Sequence, residues 1–336
     1  MTEKLNRTSP LSTEYSCTLS SDLLLKAQKE LHEKPEWRQR DIEALREMVR
    51  KQDGLNPCLS DAFLIRFLRA RKFDYDRALQ LLQNYYYVRQ MYPEVLVDLV
   101  PSSVEHVIAS HLISVLQTGC DYRGGRVLLL DFASWKPESA SADELIRALM
   151  LVLELELCSE AVQVCGVSVI VDLRYLSLAA SFQHLRPAFV KKLVNCLQGC
   201  FPMRLKGVHF VHESYLLDVL LTMLKPFATE KIRSRMYFHG NNLSSLHLHM
   251  DPELLPRSLG GGSSLVDGFD SPLVDIDAPP SPTLLSRVND AQSYFEQCAL
   301  YGYTAKAMQL HESQETGPLK YVLNSYRRIC IDGLNS

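Results

Sequence analysis

Two pairs of histidines could do proton-transfer or metal chemistry if their rings met. His209 and His212 lie on or beside a predicted strand, and His247 and His249 lie on a predicted helix. Neither spacing brings both rings of a pair to one face at close range. We therefore interpret these side chains as hydrogen-bonded or exposed histidines, and not as metal ligands.

Cysteine chemistry and the common enzyme motifs have equally little support. Cys196 and Cys200 lie four residues apart on a predicted helix, without a His or Cys partner in the local sequence, which favours a role in the core. The nucleophile elbow G-x-S-x-G, the Walker loop, G-x-G-x-x-G and H-E-x-x-H are absent. The sequence therefore predicts no enzyme, no catalytic residue, no metal site and no cofactor.

One apolar segment needs a different explanation. In Ser214–Leu224, the polar residues Ser214, Asp218 and Thr222 recur every four positions and form one narrow stripe. The remaining positions are apolar: Tyr215, Leu216, Leu217, Val219, Leu220, Leu221, Met223 and Leu224. Such a helix needs cover on several sides. It is either an ordinary buried helix or a lid that covers a ligand and presses its outer face into a bilayer.

Basic residues flank this segment and recur in the N-terminal region. They are Arg204, Lys206, Lys231, Arg233 and Arg235, together with Arg66, Arg69, Arg71 and Lys72. Each exposed cation near an anionic membrane contributes about 1 kcal/mol, and several that converge could bind one phosphate headgroup. A solvated surface is the alternative, because spacing along the chain does not show convergence.

The elements that must position these residues follow two patterns. Residues 20–92 carry helical apolar spacing, which predicts a small all-helical N-terminal subdomain. Over residues 105–270, β-rich runs at Val127–Phe132, Val167–Leu173, Val208–Val211 and Met236–Phe238 alternate with helical patterns at 141–158, 184–198 and 214–234. This alternation predicts an α/β fold with a mainly parallel sheet covered by helices.

The two ends of the chain differ from these regions. Residues 1–19 are rich in Ser and Thr and predict a disordered tail, and residues 271–336 predict a C-terminal tail with an amphipathic helix. With a net charge of −3, the chain has no global basic field, which argues against a nucleic-acid partner. Its nine cysteines, an odd number, include no C-x-x-C pair, and residues 1–12 lack an apolar run, so we expect a reducing, cytoplasmic location.

Several segments resemble the CRAL-TRIO lipid-transfer family, in the order in which that family carries them. They are DAFLIRFLRARKFDYDRALQLL (61–82), FPMRLKGVHFVHE (201–213), KPFATEKIRSR (225–235), HGNNLSSLH (239–247) and LPRSLGG (255–261). The resemblance runs from about residue 20 to 262. It implies a helical subdomain on an α/β lipid domain, with a mobile gate over residues 212–235.

The resemblance also implies two sets of functional residues. An apolar pocket for one hydrophobic lipid, tocopherol-like or related, would be walled by Ile146, Met150, Leu153, Val167, Val171, Leu193, Cys196, Phe201, Met203, Leu205 and Val208. The phosphates of a phosphoinositide would be bound by Arg71, Arg204, Lys231 and Arg235. The implied protein is a monomeric carrier that associates transiently with endosomal or other internal membranes.

The sequence leaves two other functions open. A phosphoinositide-binding membrane adaptor would use the cations to reach a membrane and would transfer no ligand. An esterase or isomerase acting on an apolar substrate would need a nucleophile in the pocket, and Cys196 is the one candidate there. Helix 141–158 does not separate these possibilities, because its apolar face suits core packing as well as a pocket wall.

Overall fold

The structure is a computed structural model, and it describes the two regions that the sequence predicts. The described residues are 15–97, 99–132, 135–136, 138–174, 186–213, 222, 224, 226–261, 283–305 and 307–308, without the side chains of 117–120. Within these ranges, no helix combines the length and the apolar character needed to span a membrane.

The N-terminal region is helical, as predicted. Its helices are α1 (Ser21–Leu31), α2 (Arg38–Arg50), α3 (Asp61–Ala70), α4 (Tyr75–Met91), α5 (Pro93–Leu96) and α6 (Glu105–Ala109). Side-chain caps set two of the starts: Ser20 Oγ accepts from the Leu23 amide, and Asp74 Oδ1 accepts from the Arg77 amide at 3.0 Å. Aromatic rings of α3 and α4 pack edge to face, with the Phe67 and Tyr85 centroids 5.4 Å apart.

A five-stranded, mainly parallel sheet forms the second region and confirms the predicted fold class. Its strands are β2 (Ile113–Cys120), β3 (Arg126–Asp131), β4 (Val167–Asp172), β5 (Leu205–Val211) and β6 (Met236–Phe238), in that spatial order. Strands β3 to β6 are parallel, whereas β2 pairs with β3 in the antiparallel sense. The sequence patterns predict β3 to β6 but miss β2.

Helices connect the parallel strands, and one more follows the last of them. Helices α7 (Ala142–Glu156) and α8 (Glu160–Cys165) lie between β3 and β4, α9 (Pro187–Leu197) lies between β4 and β5, and α10 (Glu230–Arg233) lies between β5 and β6, whereas α11 (Ser244–His247) follows β6. A capping box starts α7, because Ser141 Oγ accepts from the Glu144 amide while the Glu144 carboxylate accepts from the Ser141 amide. Gly166 ends α8 at φ +88°, where a Cβ would lie 2.3 Å from the Arg204 carbonyl oxygen.

The sheet is buried on both faces. One face belongs to the main core, which also contains the apolar residues of α7, and its buried members on the strands are Ile113, Val115, Leu128, Leu130, Val167, Val171 and Phe210. The opposite face packs against the chain that follows β6 and includes Leu116, Val127, Leu129, Ile170 and Val211, in contact with Leu246, Met250, Leu255 and Leu259. Alternation of side chains along each strand separates the two sets.

Part of the C-terminal tail packs onto the N-terminal helical region. Helices α12 (Leu284–Asp290) and α13 (Gln292–Cys298) occupy the stretch predicted to be amphipathic, and their apolar residues Leu284, Val288 and Phe295 are buried in the main core. Strand β7 (Gly302–Tyr303) then pairs with β1 (Leu55–Asn56). Residues 283–308, which we call the C-terminal clasp, are therefore an integral part of the fold.

Replacing Arg287 with alanine should lower the free energy of unfolding by about 2 kcal/mol, because it removes a charge-assisted hydrogen bond to a buried carboxylate. Arg287 Nη2 lies 2.6 Å from Glu156 Oε1, and Glu156 is 1% exposed. Urea unfolding measures the change. Arg257→Ala, at an exposed arginine, is the control and should stay within about 0.5 kcal/mol of the original protein.

Candidate functional site

Most of the predicted pocket-wall residues meet on one face of the sheet. Those that are buried in the main core are Ile146, Met150, Leu153, Val167, Val171, Cys196 and Phe201, and Leu193, Met203 and Val208 pack against it half-buried. Leu205 is half-buried and lies opposite Val167 in the register of β4 and β5. The eleven residues come from α7, α9, the loop after α9, and these two strands.

Helical spacing explains the contribution of α7. Ile146, Met150 and Leu153 follow one another at i, i+4 and i+7, so they share one face of the helix, and all three are at most 2% exposed. Helix α9 contacts α7 and α4 and brings Cys196 to the same region. Burial raises the pKa of the Cys196 thiol to about 12, so the sulfur is protonated and is a poor nucleophile.

Of the predicted lid, the structure describes only the end. Tyr215, Leu216, Leu217, Val219, Leu220, Leu221 and Met223 lie outside the described residues. Leu224 is half-buried and packs against the main core. The chain beyond it is tied to the end of α9: the Gln198 side chain donates to the Phe227 carbonyl at 3.4 Å and accepts from the Thr229 amide at 2.9 Å.

Five basic side chains form what we call the cation cluster: Arg71, Lys72, Arg77, Lys231 and Arg235. Partial burial lowers the pKa of Lys231, and the charges of the other four members lower it further. Like charges shift a pKa only at short range, so these five groups share one part of the surface. Burial, followed by the charge of Arg77, also lowers the pKa of Arg71.

The turn between α3 and α4 carries two members of this cluster, Arg71 and Lys72, and α4 itself carries Arg77. Lys72 and Phe73 have φ values of +54° and +61°, which turn the chain sharply between the two helices. Further along α4, Asn84 Nδ2 donates to the Gly199 carbonyl at 3.0 Å. Because Gln198 holds Thr229, the residue before α10, this contact places α10 and its basic residues beside α4.

Arg204 belongs to a different group of charges. Its Nη2 lies 2.9 Å from Glu30 Oε2, and Lys206 Nζ lies 3.4 Å from the same oxygen. Burial would raise the pKa of Glu30, but the charges of Arg204, Lys206 and Lys26 outweigh it and lower that pKa. Three of the four residues implied by the family resemblance thus converge, and Arg204 is held by a carboxylate of α1.

Two arginines that sequence reasoning grouped with the membrane-facing cations are buried. Arg66 pairs with Glu154 at 3.1 Å, and Glu154 also accepts from Tyr85 at 2.6 Å and pairs with Arg89 at 2.5 Å. Arg69 is 0% exposed and contacts Glu33, Glu160, Gln163 and Tyr15. These contacts join helices far apart in sequence, and no local pattern distinguishes them from surface charges.

Of the four histidines that the sequence singles out, His209, His212 and His247 are hydrogen-bonded through their rings, and three histidines also cluster, which the sequence does not predict. His212 Nδ1 lies 2.9 Å from Asp172 Oδ1, and His247 Nε2 lies 3.1 Å from the Leu259 carbonyl oxygen. His209 lies beside His239 and His249, with ring centroids 5.3 and 4.9 Å away. Among the described residues, no group of His, Cys, Asp or Glu has a geometry that could hold a metal ion.

Comparison with known proteins identifies the family. Residues 111–261 match the CRAL/TRIO domain, and residues 34–105 match the Pinta-like UBA domain. Over 254 residues the chain is 45% identical to alpha-tocopherol transfer protein-like of Homo sapiens, which covers 75% of this chain and 74% of that protein. The chain belongs to the CRAL-TRIO family. Members of this family are lipid-binding transfer proteins.

Other members of the CRAL-TRIO family extend the comparison. Clavesin-1 of Rattus norvegicus is 34% identical over 252 residues, 74% of this chain and 71% of that protein. Clavesin-2 of Mus musculus is 30% identical over 333 residues, 91% of this chain and 98% of that protein. The crystal structure of Sfh5 shares the fold, with a TM-score of 0.51 and 14% identity over 84% of this chain and 99% of that one.

Proposed function

We propose that this protein carries one hydrophobic lipid, tocopherol-like or related, in the apolar region between α7, α9 and the sheet, and exchanges it at phosphoinositide-containing membranes. The observation that carries the proposal is the position of the cation cluster. Lys231 and Arg235 follow the end of the predicted lid, and Arg71 lies close enough to Cys200 for the two to interact electrostatically. Cys200 directly precedes the wall residue Phe201.

Such an arrangement solves a physical problem of lipid carriage. Burying about fifteen methylenes gains roughly 12 kcal/mol over water, so a bound lipid essentially never leaves into solvent. Release must pass directly from pocket to bilayer. A cation cluster next to the lid would hold the anionic headgroups of the target membrane at the point where the pocket opens, and membrane contact would favour the open state.

Native mass spectrometry and extraction test whether the protein carries a lipid and which lipid it is. Protein purified from cells and analysed by native mass spectrometry should carry one co-purified lipid, which organic extraction then identifies. An empty and stable protein would contradict carriage and would support the alternative, a phosphoinositide-binding adaptor. The polar end of the ligand need not be held as in a tocopherol carrier, since positions 149 and 153 of α7 are both leucine.

Substituting Arg71, Arg204, Lys231 and Arg235 together with alanine should weaken binding to phosphoinositide vesicles by roughly 4 kcal/mol, about several hundredfold at low salt. Transfer to those vesicles should slow accordingly, while ligand loading stays unchanged. A fluorescent-lipid transfer assay measures both. The control replaces four exposed cations outside these groups, Lys29, Lys51, Lys136 and Arg257, and removes the same charge.

Single and double substitutions separate the contributions of individual cations to vesicle binding. Because Arg204 is paired with Glu30, Arg204→Ala should affect vesicle binding less than Lys231→Ala does. The double variant Lys72→Ala/Arg77→Ala should weaken binding as much as Arg71→Ala/Lys231→Ala, since all four residues belong to the cation cluster. If the quadruple variant and its control weaken vesicle binding and slow transfer equally, the cation cluster has no specific role in transfer.

A further inference from the structure

A separate pocket of about 230 Å³ lies on the sheet face opposite the main core. Ser168 of β4, His209 of β5 and Tyr237 of β6 line it from the sheet, and the ring of His249 packs against those of His209 and Tyr237. Because side chains alternate along a strand, Ser168 and His209 project away from the predicted wall residues Val167 and Val208. This pocket is therefore distinct from the lipid region.

His209 belongs to a chain of hydrogen-bonded side chains. Ser245 Oγ lies 2.7 Å from His239 Nδ1 and donates to the Asn242 carbonyl oxygen at 3.4 Å. Burial, together with the neighbouring histidines, lowers the pKa of His209 to about 3 and that of His239 to about 4, so both rings are neutral at pH 7. Each neutral ring has one donor and one acceptor nitrogen.

The chain continues from His239 to His209. His239 Nε2 lies 3.0 Å from His209 Nδ1, and one of these two nitrogens donates to the other. The second ring nitrogen of His209, Nε2, lies close to Gly207, where a Cβ would approach it to 2.5 Å. The ring of His209 is thus held in place at the pocket that it lines.

The carboxylate of Asp121 in the pocket already accepts hydrogen bonds from the chain around it, whereas the cations Arg123 and Lys206 keep N–H donors for a ligand. Asp121 Oδ1 accepts from the amides of Arg123 and Gly125, and Oδ2 accepts from Ser168 Oγ at 2.6 Å. The exposed guanidinium of Arg123 makes no hydrogen bond or ion pair with the described part of the chain. Lys206 Nζ has Glu30 at 3.4 Å and retains further N–H donors.

We propose that this pocket binds a small oxyanion of the phosphate-ester class, held by the charges of Arg123 and Lys206 beside the ring of His209. Two cationic donors suit the several oxygens of a phosphate. The volume suits a headgroup-sized ligand, since pockets for drug-sized molecules are usually about 300 Å³ or larger. At the pocket, Tyr122 and Leu248 are 62% and 78% exposed, so an amphiphile that carries the phosphate could also be bound.

Titration of the full chain with glycerol 3-phosphate, followed by calorimetry and by the ring signals of His209 in NMR, tests the proposal. Binding should shift the His209 signals, which His209→Gln identifies. Arg123→Gln should weaken binding about tenfold or more and leave the unfolding midpoint unchanged, because the Arg123 side chain has no partner among the described residues. Arg123→Lys should restore part of the affinity, and Arg257→Gln is the charge-matched control.

Vesicles of phosphatidylcholine with and without phosphatidic acid distinguish a lipid headgroup from a free ester. If Arg123→Gln and the pair Tyr122→Ser/Leu248→Ser both weaken binding to phosphatidic acid vesicles, the phosphate is borne by a lipid. If only glycerol 3-phosphate responds to Arg123→Gln, the ligand is a soluble ester. The proposal is overturned if millimolar glycerol 3-phosphate and phosphatidic acid vesicles both leave His209 unperturbed, or if Arg123→Gln binds them as tightly as the original protein. Neither outcome depends on lipid carriage or on the cation cluster.

Discussion

Replacing Glu154 with alanine should lower the free energy of unfolding by about 3–5 kcal/mol, the largest effect that we expect from a single substitution in this protein. Glu154 is 3% exposed and lies 3.1 Å from Arg66 and 2.5 Å from Arg89. Without its carboxylate, the buried Arg66 and the half-buried Arg89 have no countercharge between them, and the Tyr85 hydroxyl loses its acceptor at 2.6 Å. Urea unfolding, with circular dichroism as the signal, measures the change.

A matched control and a compensated variant make this prediction specific. Glu138→Ala, at an exposed glutamate, should change the unfolding free energy by less than about 0.5 kcal/mol. The triple variant Glu154→Leu/Arg66→Met/Arg89→Leu should recover most of the lost stability, because replacing a whole buried ion group with apolar side chains is often neutral. A Glu154→Ala variant that loses less than about 1 kcal/mol would show that the arginines find water or other partners.

Acidification between pH 6.5 and pH 5 should destabilise the protein through His209 and His239. Burial and neighbouring charges lower the pKa of His209 to about 3 and that of His239 to about 4, whereas an unfolded histidine titrates near 6.5. Below pH 6.5 the unfolded chain therefore binds more protons than the folded chain. The contribution of the two histidines to the free energy of unfolding is fully present above that pH. It falls as the pH drops, by at most about 1.4 kcal/mol per pH unit for each histidine.

The neighbours of the pair reinforce this dependence. His249 and the guanidinium of Arg123 face His209, and both oppose a positive charge on its ring, whereas Asp121 favours protonation of His249. The glutamates with lowered pKa values lose their contributions to stability only below about pH 4.5. Burial raises the pKa of Glu160 to about 7, so the folded chain binds a proton there before the unfolded chain does, and Glu160 offsets part of the histidine slope in this window. Unfolding curves at half-unit pH steps measure the slope.

A single variant separates the histidine contribution from the rest. In His239→Gln, the amide offers both a donor and an acceptor to Ser245 and His209, so it replaces the ring nitrogens with a group that does not titrate. The slope of stability against pH between 6.5 and 5 should be smaller than in the original protein. An unchanged slope would mean that His239 contributes nothing to the dependence, and a flat profile for the original protein would refute the role of both histidines.

The regular elements of the fold were predictable because local patterns report backbone conformation and burial. The run VSVIV at 167–171 is apolar at nearly every position, which is typical of a strand covered on both faces, and it is β4. Strand β2 was not predicted. Its sequence, ISVLQTGC, mixes apolar, polar and glycine positions, and it pairs at the edge of the sheet in the antiparallel sense. An edge strand has one neighbour and carries a weaker pattern than a central one.

The functional groups were predictable to a smaller degree. The sequence identified the apolar segment Ser214–Leu224 and the basic residues around it, and the family resemblance implied their roles. It did not separate Arg69, which is 0% exposed, from Arg71 two positions later, which belongs to the cation cluster. Arg69 and Arg71 lie in the same short run, Arg-Ala-Arg. Only Arg69 meets the carboxylates of Glu33 and Glu160, which are its partners in the interior.

By itself, the sequence determined the α/β class, the helical N-terminal region and the family, because these depend on apolar periodicity and on segments of contiguous residues. The tertiary structure decided which charges meet. It brought His209, His239 and His249 together from three elements, tied Arg204 to Glu30, and paired β7 with β1 across most of the chain. The physical reason is that a side chain's charge state and partners depend on groups that are near in space, and sequence spacing specifies nearness only within a helix, strand or turn.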